Sequence, residues 1–141
     1  RRNAFNDSVL PVVEAGRAEM IEGGHEVDGT FTVELAPGHT PGNVTIRLAS
    51  RDSEAVFAGD VIHHPIQVHR PDWSTVACFD PAASAATRRR LLETCCERGA
   101  LLLPAHFAAP HGGQVRDAHD GFALRWLSDS DRQFTRAGGR R

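Results

Sequence analysis

Apolar and polar residues alternate with a period of two through TFTVELA (30–36), which sets Phe31, Val33 and Leu35 on one face of a strand. The alternation returns in NVTIRLAS (43–50) through Val44, Ile46 and Leu48, and AVFAG (55–59) adds a third short apolar run. A Pro-Gly loop and an RDSE turn separate the three, so the pattern predicts an antiparallel meander. EMIEGG (19–24) reads as a brief further strand and ALLLP (100–104) as a fully apolar one. Two segments suit a helix. FNDSVLPVVEAG (5–16) offers Asn6 or Asp7 as a cap, Pro11 early and Gly16 as a stop. In DPAASAATRRRLLETCCERG (80–99), Asp80 is placed as the N-cap, Pro81 fits the first helical position and Gly99 the C-terminal stop. There Ala82, Ala85, Leu92 and Cys96 form one stripe with Ala86 and Cys95 at its edges. Arg88 and Arg89 flank it and are expected to snorkel towards solvent.

Residues 60–79 carry no periodicity and are rich in His, Pro and aromatics, and AHFAAPHGG (105–113) reads as a loop. QVRDAHDGFALRWL (114–127) fits either a hairpin around Asp120-Gly121 or a strand running into a helix. The expected organisation is one α/β domain over 1–127, with a mainly antiparallel sheet and flanking helices, and a flexible tail over 128–141. The sequence contains no internal repeat.

Composition changes this picture little. A chain of 141 residues, 40% hydrophobic and 24% charged, is one globular domain able to bury roughly two thirds of its unfolded surface. A net charge of −2 gives no electrostatic argument for nucleic acid or an anionic membrane as partner. All 16 basic residues are Arg, spread along the whole chain, which marks a compositional bias and not a phosphate-binding patch. No apolar run approaches the roughly 18 residues of a membrane span, and no charged-then-apolar leader opens the chain. The first residue is Arg1 and not Met, as in a segment of a longer product. Cys78, Cys95 and Cys96 are odd in number and lack framework spacing, which points to a reducing, cytoplasmic setting with thiols used as small hydrophobes.

Candidate chemistry comes from one device used three times. VELAPGH ends at His39, AVFAGD at Asp60 and LLLPAH at His106. Each apolar run passes through small residues or Pro and then presents an imidazole or a carboxylate. Taken singly, each has an ordinary structural use in a turn or loop. Strands of one sheet end along a common edge, so the three can converge despite separations of 21 and 46 residues. His, Asp and His are N and O donors suited to zinc, manganese or iron.

The stretches PGHTPG, FAGD and LLPAHF resemble the later metal-binding motifs of the metallo-β-lactamase superfamily, and GDVIHHPIQVHRPDW is similar to its acyl-homoserine-lactonase-like and organophosphate-hydrolase-like branch. The resemblance runs from about residue 5 to 127. It implies the C-terminal portion of an αββα sandwich, in which two sheets pack between helices around a dinuclear site. By that resemblance His39 would bind one of two zinc ions, Asp60 would bridge both and His106 would bind the other, with manganese or iron as alternatives. A metal-bound hydroxide would then attack a lactone, ester or related small molecule, with Asp60 holding and orienting the catalytic centre. His63, His64, Trp73 and Phe107 are candidates for the substrate pocket.

One departure matters most. The HxHxDH block expected upstream is missing, the chain holding no HxH and only RDAHD (116–120) as a distant approach. Each metal would then find about two protein ligands here, where a working zinc site takes three or more. Asn43 stands where relatives often carry another His. The competing expectation is therefore an incomplete fragment, inactive alone, whose uncovered apolar surface would drive self-association. A mononuclear iron oxygenase has the same His-Asp-His inventory, but such sites commonly draw a His and the carboxylate from nearly adjacent positions.

Overall fold

The computed structural model describes residues 3–128 and residue 131. Seven strands form one sheet in which spatial order follows sequence order. They are β1 (His25–Val27), β2 (Phe31–Leu35), β3 (Val44–Ser50), β4 (Ser53–Gly59), β5 (Leu101–Pro104), β6 (Gly113–Ala118) and β7 (Gly121–Trp126). All neighbours are antiparallel except β4 and β5. A parallel pair needs a long crossover, and here it runs through α2 (Ile66–His69) and α3 (Pro81–Arg98). The meander read from the alternation is β2–β3–β4, and residues 114–127 form the hairpin, turning at His119–Asp120. Upstream, a π-helical turn (Phe5–Val9) leads into α1 (Leu10–Glu14), and neither buries a residue. No helix among the described residues is long and apolar enough to cross a membrane. The tail expected over 128–141 lies outside the described residues apart from Ser128 and Asp131.

Two local expectations need correcting. No strand forms at 19–24: Met20 is 93% exposed, and Gly23-Gly24 turn the chain into β1 instead. Helix α3 starts and stops where its caps indicate, with Asp80 Oδ1 accepting the Ala83 N–H at 2.9 Å and Gly99 at φ 63°. Its buried line, however, is Ser84, Thr87, Arg88, Leu92 and Cys95, while Ala82 and Ala86 face solvent.

Arg88 does not snorkel; it is fully buried. Its Nε donates to the Val61 carbonyl at 2.9 Å, Nη1 to those of Pro71 and Trp73 at 2.6 and 2.8 Å, and Nη2 to Ser84 Oγ at 3.0 Å. Burial is tolerated because the fork finds fixed acceptors in a loop that has no regular structure to satisfy them. An alanine stripe would have left those carbonyls unpaired.

The two faces of the sheet differ. One carries Val56, Ala58, Leu102, Val115 and Phe122, packed on Leu92 and Cys95 of α3 and Val68 of α2. On the other, strand register aligns Val27, Phe31, Leu48, Ala55 and Leu101 in one row and Val33, Ile46, Phe57 and Leu103 in the next. This second face is apolar yet open: Phe31 is 37% and Phe57 41% exposed. Where the family resemblance implies two sheets between helices, the chain builds one sheet with helices α2 and α3 on one face. It is the α/β architecture of a partial sandwich.

Candidate metal centre

Three loops bring ligand-type residues to one rim of the sheet. The first is the Pro-Gly loop after β2. Ala36 N–H donates to Asn43 O at 2.8 Å and Asn43 Nδ2 donates to Ala36 O at 2.9 Å, closing the loop at its neck. Its outer side is pinned to the start of α3: Phe79 N–H reaches His39 O at 3.0 Å, Asp80 N–H reaches Gly38 O at 2.9 Å and Thr87 Oγ1 reaches Pro37 O at 2.7 Å. Gly38, at φ 133°, admits no side chain, since a Cβ there would collide with the Ser84 backbone. His39 therefore stands on a loop held from both sides.

The second loop follows β4. Gly59 takes φ 49° and the register against β5 shifts between Phe57 and Gly59, which turns the strand end outward at Asp60. Val61 and Ile62 then plunge into the core, and the chain doubles back to present His63 beside Asp60. The third follows β5, where Ala105 N–H still pairs with Gly59 O at 3.4 Å, so His106 emerges next to Asp60.

The resulting geometry is close. Asp60 Oδ1 lies 2.8 Å from His106 Nε2, and Oδ2 lies 3.5 Å from His39 Nε2. The His63 ring stacks on His106 at 4.8 Å between centroids and tilts against His39 at 4.7 Å. The centre opens to solvent on one side: the side chains of Asp60 and His106 are 42% and 48% exposed, that of His39 16%. Burial lowers the pKa of His63, and the nearby His39 and His106 reinforce this, so the neutral imidazole that can accept a cation is favoured.

The donor set suits a divalent cation. Donors sharing one tetrahedral zinc sit about 3.3 Å apart, close to the His39–Asp60 separation. His63 Nδ1 is buried with no hydrogen-bond partner among the described residues, an orphan that a cation would satisfy.

The other candidates lie elsewhere. His64 is exposed, and its Nδ1 accepts the Ile66 N–H at 3.1 Å. Trp73 is half exposed, with the Arg70 guanidinium 5.2 Å from its ring. Phe107 is buried in the core with its ring against Trp126. Sequence reasoning gave His63 a place in the pocket and missed its place among the ligand-type groups. The signal was its position three residues beyond Asp60, after two strongly apolar residues able to plug inward and turn the chain.

Cys78 touches this centre from behind, with Sγ 3.8 Å from His39 Nδ1, 3.5 Å from Ser84 Oγ and 3.7 Å from Thr75 Oγ1. Burial works against its ionisation, but the hydrogen bonds with Ser84, His39 and Thr75 prevail and bring the thiol down to about 7. A pKa below the ordinary 9.0 means that the fold favours the thiolate. Its stabilising contribution is complete above pH 9 and lost as pH falls through about 7. Stability of the metal-free protein should rise between these limits in denaturant titrations, and Cys78→Ala should flatten the rise. Cys95, pushed up to about 12 mainly by burial, has no part in that window.

A sheet with helices on one face and a histidine–carboxylate cluster on its strand-end rim is the fold of the metallo-β-lactamase-type hydrolases, here over less than half of their length. The solved structure of AbOPH, a hydrolase of the beta-lactamase superfamily, is similar at TM-score 0.81 and 23% identity over 88% of this chain and 43% of that one. AidC, a dizinc quorum-quenching lactonase in complex with N-hexanoyl-L-homoserine, is similar at 0.74 and 20% identity over 91% and 48%. An N-acyl homoserine lactone hydrolase with its product at the catalytic metal centre gives 0.54 and 20% over 67% and 40%. No family model and no curated protein matches the chain. These likenesses define the fold; the site's chemistry rests on its own residues.

Proposed function

We propose that the chain carries the ligand-bearing rim of a metal-dependent hydrolase that opens a lactone, ester or related small molecule. The observation that supports it is the convergence of His39, Asp60 and His106 from three separate strand ends, within 2.8 and 3.5 Å of one carboxylate. These three would hold the metal, zinc by the chemistry of the donors. A bound divalent cation supplies Lewis acidity and brings the pKa of water towards neutrality. Asp60 spans the centre, one oxygen towards each imidazole, and so sets the distance between them. The pinned loop around Gly38 keeps His39 from swinging away. Trp73 and His64, on the segment that follows, offer an apolar face and a polar tip to a substrate approaching from the open side. Ring opening of an N-acyl homoserine lactone, followed by proton release, tests the reading. Turnover should require added zinc and stop with a chelator. Zinc binding without turnover of any lactone or ester would leave the chain a metal-binding unit only.

A second reading draws on the open apolar face and on the chain's match to less than half of each similar structure. In it, the chain is one half of the enzyme, and a second sheet on another segment covers Phe31, Ile46 and Phe57 and brings the remaining ligands. Such a face should make the isolated chain associate with itself. Sedimentation velocity should show association that grows with concentration, and the double variant Phe31→Glu, Phe57→Glu should return a monomer with nearly unchanged Tm. A wild-type chain that stays monomeric at every concentration would count against this reading.

A further inference from the structure

We propose that His63 is itself a metal ligand in this chain. With His39 and Asp60 it makes a three-donor site able to hold one divalent cation without help from another segment, and Gln67 positions it there. The inference rests on the metal-centre reading above and adds to it a ligand outside the His39–Asp60–His106 set.

One donor atom from each of His39, Asp60 and His63 lies within 4.8 Å of the other two. The rim thus gathers three imidazoles and one carboxylate, since His106 already meets Asp60 Oδ1. Three protein donors plus solvent is the inventory of an open zinc site, and the chain then meets it without the missing upstream block. His63 Nδ1 is buried and unpartnered, which is costly for an imidazole with nothing to bind.

The backbone beneath His63 is held with unusual care for a loop. Gln67, buried on α2, accepts the N–H of His63 at 2.8 Å and of His64 at 3.2 Å through Oε1. Its Nε2 donates to the Trp73 carbonyl at 2.8 Å, which also takes Arg88 Nη1 at 2.8 Å. The position of His63 is therefore fixed through Gln67 and Trp73 to the buried Arg88. A loop histidine that only lined a pocket would not need this support.

Zinc alone is the probe, titrated against a chromophoric chelator. Wild type should take up one ion per chain. His63→Phe keeps a ring in the stack but removes the donor, and should weaken uptake by about 100-fold or more. Gln67→Ala, which removes no ligand, should weaken it by about 10–100-fold, and Gln67→Glu, which keeps the accepting oxygen, should recover part of the loss. Imidazole nitrogen NMR of the wild type gives a readout independent of folding in the variants: the His63 ring resonances must move when zinc is added. Tight uptake with an unmoved His63 ring, or with full affinity in a folded His63→Phe, overturns the His63 assignment and leaves the metal centre standing. No uptake by wild type overturns both.

Discussion

Replacing Arg88 with Ala should destabilise the protein by about 3–5 kcal/mol and lower Tm by about 10–20 °C. The Val61 and Pro71 carbonyls lose their guanidinium donor, at about 1–2 kcal/mol each, and a cavity opens under the 61–73 loop at comparable cost. Trp73 O suffers less, because Gln67 Nε2 still donates to it. No carboxylate among the described residues pairs with Arg88, so this is not a buried ion pair whose apolar replacement could be neutral. Desolvation lowers the pKa of the guanidinium, a cost that its carbonyl contacts must outweigh. Arg88→Met should therefore fail nearly as badly as Ala: it fills the volume but supplies no donor. Arg88→Lys keeps the charge but loses the fork, and should fall between. Differential scanning calorimetry checks the series, and a Met variant as stable as wild type would refute the role given to these bonds.

Asp60→Ala should do the reverse. The carboxylate and His106 are both nearly half exposed, so their pairing adds at most about 1 kcal/mol, and Tm should barely change. Zinc affinity should instead fall by at least about 100-fold, since even partners that only orient a ligand are worth 10–100-fold. Asp60 touches both His39 and His106, so its removal costs a donor and also frees two imidazoles from a common anchor. A chelator-competition titration beside a thermal melt gives both numbers on one sample. An Asp60→Ala protein that binds zinc like wild type would place the cation elsewhere.

The contrast between these two residues shows how far the sequence carries. Asp60 stood out because its chemistry has no structural motive at the end of an apolar run, and His39 and His106 repeated the device. Arg88 was misread for an equally physical reason. A periodic apolar stripe ranks arginine as surface, and only the irregular loop above α3, invisible to periodicity, supplies the carbonyls that draw it inside. The strands of the meander were readable from alternation, down to Phe31, Val33, Ile46 and Leu48 sharing a face. What alternation cannot say is whether anything covers that face. Here the helices sit on the other one, so residues patterned for a core stand open. His63 escaped for a third reason. Its nearness to His39 depends on a bulge at Gly59 and on Val61 and Ile62 turning inward, which no two-residue or helical repeat encodes.

Anomalous diffraction from zinc-soaked crystals tests the central claim most directly. The expected result is a zinc peak at the rim of the sheet, bound by Asp60 and by imidazole nitrogens that include His39. Crystals with no zinc at that rim, or with His39, Asp60 and His106 turned away from one another, would contradict it.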